Sequence, residues 1–179
     1  MSFPLTAAKL QGYDTQQVDA LMERVKKQYE NPHLELVTAA MLGVAQFDLV
    51  SGGYQIPAVD SAIARVADTL EQREVDRALK VNGRGATATA LALQIREIKQ
   101  VLEREPKTRF AGSRNGYSKR EVEKLLKRFS IKRGVLSVPD TFEIRTISLG
   151  RSASGFERAE VDEFLALVVA AAITQQTLS

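Results

Sequence analysis

Four stretches of the chain share one pattern of apolar positions: a valine, then side chains three, four and seven places on that are almost always apolar. They are Val18 with Leu21, Met22 and Val25; Val59 with Ala62, Ile63 and Val66; Val122 with Leu125, Leu126 and Phe129; and Val161 with Phe164, Leu165 and Val168. Offsets of 3, 4 and 7 fall on one stripe of an α-helix, so the pattern predicts four amphipathic helices, each burying a single face. Each valine is followed by an acid: Asp19, Asp60, Glu123 and Asp162. Five residues before each valine stands the aromatic of a Gly-aromatic pair, Gly12-Tyr13, Gly53-Tyr54, Gly116-Tyr117 and Gly155-Phe156. Four occurrences at one internal spacing make an internal repeat.

The residues between aromatic and valine are those of a helix start. Asp14 is a natural N-cap with Gln17 at N3, and Ser118 and Glu121 form a capping box. In the second copy Pro57 suits the first turn. The aromatic then sits at N′ and the valine at N4, the hydrophobic staple that fixes the angle of entry into a helix. The glycine before the aromatic permits a tight approach or a positive φ. Because the fourth copy carries Phe156, a role shared by all four aromatics needs the ring and not the hydroxyl. The acids read two ways: as solvated residues favoured by the helix dipole, or as acceptors of a hydrogen bond or ion pair from a neighbouring copy.

The aromatics are spaced by 41, 63 and 39 residues. Copies one and two therefore form a pair, as do three and four, with the two segments of a pair expected to pack about a local pseudo-twofold. The intervening sequence is helical in pattern. Val59 to Lys80 keeps an apolar stripe through Ile63, Val66 and Leu70; Asn82-Gly83-Arg84-Gly85 breaks it; Thr87 to Glu105 resumes with Leu91, Ile95, Ile98 and Leu102. Those spacings predict an antiparallel helical hairpin. The expected fold is mainly α: a first repeat pair over 1–67, the inserted hairpin over 68–105 and a second pair over 106–179, with minor short β. Thr38 to Gln46 reads as a short helix capped by Thr38. Val135 to Leu149, richer in β-branched residues, reads either as a short helix or as a hairpin turning at Pro139-Asp140.

Composition narrows the chemistry. The 179 residues are 44% apolar and 26% charged with a net charge of +3, the balance of a globular domain. With no cysteine, the chain has no disulfide scaffold, thiol nucleophile or Cys-ligated metal. The single histidine, His33, falls in an expected loop after the first helix with no second His to join it. Gly83-Arg84-Gly85-Ala86-Thr87-Ala88 echoes a dinucleotide loop, but it follows a helix where that fingerprint must follow a strand. No catalytic, cofactor-binding or metal-binding residue is assigned, and an enzyme is not expected. The longest apolar run, Phe164 to Ile173, is about half of the roughly 20 residues a spanning helix needs, and no signal peptide is read at the N-terminus. The expected location is cytoplasmic, with peripheral membrane contact left open.

One charged region stands out. Over 119–133, Lys119, Arg120, Lys124, Lys127, Arg128, Lys132 and Arg133 are set against Glu121 and Glu123 alone, a local charge of +5. It reads as a solvated helix face, as a basic helix lying on anionic lipid, or as a contact for nucleic acid. The last is disfavoured because the aromatics there, Tyr117 and Phe129, belong to the helix core pattern.

The repeat resembles the DivIVA domain, the lipid-binding module of a Gram-positive cell-division and polarity scaffold. The second copy carries it furthest: Val37-Thr38, Leu42, Phe47, Gly53-Tyr54, Val59-Asp60 and Ile63. Phe110, Gly116-Tyr117, Val122-Glu123 and Leu126 repeat it, as do Gly12-Tyr13-Asp14 and Val18-Asp19. It is most similar to actinobacterial proteins carrying several such units in tandem. Where the family has a membrane-inserting Phe-Arg pair before its Gly-Tyr, this chain has Leu10-Gln11, Ser51-Gly52, Arg114-Asn115 and Ala153-Ser154. The resemblance implies a non-catalytic interaction or adaptor role near cell division or polar envelope growth, with a protein partner, self-association, and peripheral contact at the inner face of the membrane or the division site. The alternative is a peripheral binder of an anionic surface through 119–133.

Overall fold

Single apolar stripes must be covered to be stable, and this chain covers them in two separate cores. The computed structural model describes residues 2–31 and 33–179. These divide into two units, 1–70 and 71–179. The fold is mainly helical, with one long helix and minor short strands.

In the first unit, β1 (Gln11–Tyr13) leads into α1 (Thr15–Glu30). Asp14 caps α1 as its position requires, its carboxylate accepting the Gln17 N–H at 2.9 Å. His33 lies in the turn that follows. The loop beyond is tied to α1 by Gln28, whose Oε1 accepts from Leu36 N and Val37 N at 2.7 Å each. Thr38 caps α2 (Ala39–Gly43), its hydroxyl accepting from Met41 N at 3.1 Å. This helix ends at Gly43, short of the expected Gln46. Strand β2 (Leu49–Ser51) then runs antiparallel to β1, and α3 (Ile56–Glu103) begins. Val18, Val37, Leu42, Tyr54, Val59, Ile63 and Leu70 form the core.

Within α3 the only residue with non-helical dihedrals is Gly83, at φ 79° and ψ 165°. The four-residue break expected over Asn82–Gly85 is therefore a single residue, and helix resumes before Thr87 rather than at it. Glycine is the residue that adopts this conformation without a Cβ penalty. The Thr87 hydroxyl donates back to the Gly83 carbonyl at 3.0 Å, as a threonine inside a helix does.

The second unit packs Val75, Leu91, Ile95 and Ile98 of α3 with the elements that follow. These are β3 (Gly112–Ser113), β4 (Gly116–Tyr117), α4 (Lys119–Leu126), β5 (Ser130–Lys132), β6 (Val135–Ser137), α5 (Thr141–Thr146), β7 (Arg151–Ser152), β8 (Gly155–Phe156) and α6 (Arg158–Leu178). One sheet has the order β3-β8-β4-β7; β5 and β6 form a hairpin. Two expectations are corrected here. The basic segment 119–133 is not one helix: α4 stops at Leu126, and the remainder enters the hairpin, which turns at Arg133 (φ 53°) and Gly134 (φ 78°). Two successive positive φ values make the turn that suits the twist of paired strands. The stretch 135–149 is neither reading alone. Its start is β6, and Pro139-Asp140 begins α5 instead of a turn, with the Asp140 carboxylate accepting from Phe142 N at 2.9 Å.

Helix α6 is long and apolar enough to cross a membrane by length and composition. Its apolar side is engaged in this core, where Val161, Phe164, Leu165, Val168, Val169 and Ile173 are all buried.

Candidate functional site

The Gly-aromatic segments cross each other two by two. In the first unit Tyr13 N–H donates to the Tyr54 carbonyl and Tyr54 N–H to the Tyr13 carbonyl, both at 2.9 Å. In the second, Tyr117 stands opposite Phe156 in the sheet. The crossings are so close that a side chain on any of the four glycines would strike backbone. A Cβ on Gly12 would lie 2.7 Å from Gly53 C and against the Tyr54 oxygen; on Gly53, 2.8 Å from Gly12 C and O. On Gly116 it would lie 2.8 Å from Phe156 C and against the Phe156 oxygen, and on Gly155 2.5 Å from the Gly116 and Tyr117 oxygens. None of the four has a positive φ. Close approach, not a left-handed turn, is what requires glycine here. All four valines (Val18, Val59, Val122 and Val161) are 0% exposed.

The acids after those valines are not merely solvated. Tyr54 donates its hydroxyl to Asp19 Oδ1 at 3.1 Å, Tyr13 bonds Asp60, and Tyr117 donates to Asp162 Oδ2 at 3.4 Å. In each case the hydroxyl of one segment reaches the acid of the other. Burial pushes the Tyr13 phenol up to about 12, aided by the Asp60 charge and bond. Burial and the facing aspartate also raise Tyr54 and Tyr117. These phenols hold their protons in the folded chain at a pH where the unfolded chain has lost them. Their contribution to stability is therefore complete below pH 10 and is lost as pH rises through the folded values. Urea denaturation on either side of pH 10 should show stability falling on the alkaline side, with Tyr13→Phe flattening the fall at a cost near neutrality of about 1 kcal/mol.

Phe156 has no hydroxyl to offer, and the fourth acid is met differently. Glu123 accepts from Arg109 Nη1 at 3.0 Å, with Arg109 itself only 7% exposed. Arg109 Nη2 also donates to the carbonyls of Leu102 and Arg104 at 3.0 and 3.1 Å, where α3 ends. Burial raises the Glu123 pKa against the opposing pull of Arg109 and Lys127. The Phe156 ring packs edge-on to Phe110 with centroids 5.4 Å apart, and the Lys119 ammonium lies 4.9 Å from its centroid.

A further set of bonds escaped the sequence reading. The N–H of the residue before each of α1, α3, α4 and α6 donates to a carbonyl of another segment: Asp14 to Asp48 O, Gln55 to Pro4 O, Ser118 to Gly150 O and Glu157 to Ala111 O, at 2.7–2.9 Å. With that N–H occupied, the expected capping box does not form, and the Ser118 side chain makes no cap bond. The N3 side chains reach across instead. Gln17 accepts from Asp48 N at 2.8 Å, Glu121 from Gly150 N at 2.6 Å and Glu160 from Ala111 N at 2.8 Å. Gln or Glu at N3 was the available signal; its target was not.

The basic residues are spread over two elements. Lys119, Arg120 and Lys124 lie on α4, Lys127 and Arg128 just beyond it, Lys132 at the end of β5 and Arg133 in the turn. Arg120, Lys124 and Lys127 are exposed on the side of α4 opposite buried Val122, Leu125 and Leu126. Arg128 is engaged by Glu143, with Nη2 to Oε2 at 2.9 Å and a second contact from Nη1 to Oε1. Among the described residues no group of three or more His, Cys, Asp or Glu side chains could hold a metal ion.

Comparison with protein-family models, with curated proteins and with solved structures finds no match to this chain.

Proposed function

We propose that the chain is a non-catalytic adaptor, made of four copies of one Gly-aromatic-helix unit in two pairs, acting in the cytoplasm at sites of bacterial division or polar envelope growth. This is the role of the DivIVA-domain proteins that its repeat resembles. The observation that carries the reading is where the repeat residues spend their chemistry. Each valine is buried, each glycine faces another backbone, and each acid is bonded to a tyrosine or, at Glu123, an arginine. Such a set supports a scaffold whose outer surface, not its polar interior, meets the partner. A tagged copy expressed at native level in an actinobacterium should concentrate at septa or poles; an even cytoplasmic distribution would overturn the reading.

A second reading rests on the exposed cations of α4, which suit an anionic surface. Co-sedimentation with anionic vesicles at low and physiological salt separates the two. Pelleting abolished by Arg120→Glu, Lys124→Glu and Lys127→Glu together would favour the electrostatic surface. Arg128 is left out of that set because Glu143 already holds it. No pelleting at either salt would dismiss this reading.

A further inference from the structure

We propose that the outer edge of β5 takes up an extended acidic segment of a protein partner as an added strand. The inference rests on the adaptor reading, and it gives the partner left unnamed there a stated chemistry.

The hairpin of β5 and β6 has one edge closed and one edge open. In its register Ser130 stands opposite Ser137, Ile131 opposite Leu136 and Lys132 opposite Val135. Leu136 turns both of its backbone groups away from β5. Its N–H donates to Gln175 Oε1 at 2.8 Å, and its carbonyl accepts from Gln175 Nε2 at 2.9 Å. One carboxamide of α6 thus bonds this edge as a neighbouring strand would, and closes it. Two residues that face each other in an antiparallel ladder turn their backbone groups either both toward one another or both away. Ile131 therefore turns its N–H and C=O away from β6, onto the other edge. Neither group has a protein partner there among the described residues. Backbone groups in that position are satisfied by water, or by a strand that displaces it.

The side chains beside the open edge select the strand. Cross-strand neighbours share a side of the sheet. Ile131 accordingly lies with buried Leu136 against the core, while Lys132 and Val135 share the solvent side. From Phe129 to Val138 the chain carries Lys132 and Arg133 and no acid. Both cations are exposed, and no ion pair engages either among the described residues. A strand laid beside β5 places alternate side chains next to Lys132 and next to Ile131. Acids suit the first set and aliphatic side chains the second. A second copy of β5 would bring like charges together, so the edge that resists self-pairing is also the one that favours an acidic strand. The clamp of Gln175 and the packing of Ile131 and Leu136 hold the edge extended in advance, which keeps the ordering cost of binding low on this side.

The test is titration of the full chain with a heptapeptide alternating glutamate and valine, followed by fluorescence anisotropy at physiological salt. Saturable binding is expected, weakened about tenfold or more in Lys132→Glu with Arg133→Asn. Asparagine is chosen because position 133 has φ 53°. Both positions are exposed, and circular dichroism checks that the variant folds. Backbone pairing is read separately with two peptides of unchanged charge, one methylated on every valine amide and one on every glutamate amide. A strand added antiparallel to β5 loses the valine-methylated peptide and keeps the other; a parallel strand does the reverse. The Ile131 amide should exchange its hydrogen at least about tenfold more slowly with the unmodified peptide bound. Binding of both methylated peptides with unchanged exchange at Ile131 would reduce the effect to charge alone and overturn the added strand, as would no binding at all. Septal localisation without peptide binding overturns the strand site and leaves the adaptor role; peptide binding by a chain spread evenly through the cell does the opposite.

Discussion

Gly116→Ala should unfold the second unit or destabilise it by about 3–4 kcal/mol, the upper range for an overpacked core position. The added methyl would meet the Phe156 carbonyl, which is paired backbone and cannot swing aside as a side chain could. Separating the strands to make room breaks the Tyr117–Phe156 pairing and lifts two fully buried residues, Val122 and Phe156, off the core. Gly112→Ala is the control. It lies in the same sheet, a Cβ there meets nothing within 4 Å, and its change should stay within about 0.5 kcal/mol. Urea denaturation gives the magnitudes, and native-state hydrogen exchange locates the loss. Amides of α4 and α6 should lose protection while those of α1 keep it; equal stability of the two alanine variants would remove the steric explanation.

The second large effect is expected at Arg109. Arg109→Leu leaves the part-buried Glu123 without its hydrogen-bonded cation and should cost about 3 kcal/mol. The cost should shrink on acidification. Burial already raises the Glu123 pKa, and without Arg109 it rises further. The folded variant then binds a proton that the unfolded chain does not, so its stability grows as pH falls toward the ordinary carboxylate range. Arg109→Leu with Glu123→Leu removes the unpaired charge and should recover more than half of the loss. The remainder, about 1–2 kcal/mol, reflects the Leu102 and Arg104 carbonyls left without a donor. Recovery is expected because the pair is imperfect: Arg109 Nε and Glu123 Oε1 have no partner among the described residues. A double variant no better than the single would show that packing around Arg109, not its charge, sets the cost.

Much of this was legible in the sequence because it followed helical spacing. The buried valines, the Asp14 and Thr38 caps and the helices on either side of Gly83 come from local rules that a linear pattern expresses. What was missed depends on residues far apart in the chain. Glu121 looked like half of a capping box, and only the approach of Gly150 shows which N–H it serves. Basic side chains from 119 to 133 looked continuous with one helix, because charge has no period and the Arg133-Gly134 turn is a two-residue signal within a polar run. Arg109 was invisible for a related reason. A lone arginine reads as surface, and its burial is matched by partners the linear pattern does not show, Glu123 and the carbonyls where α3 ends.

The crossings also set when each half of the molecule can fold during synthesis. Tyr13 can make its two bonds only to Tyr54, 41 residues later, and Tyr117 only finds Phe156 after 39 more have been made. Closing a loop of that size is an entropic toll met before any of the contacts it permits are gained. As it leaves the ribosome, α1 therefore carries the apolar stripe of Val18 into water with no mate, and α4 repeats the exposure with Val122. Each waits for a second segment and then gains its strand, its aromatic contact and its core in one cooperative step. A nascent chain arrested between residues 30 and 54 should accordingly be cut readily by protease, and one arrested after α3 has emerged should protect residues 11–54 together.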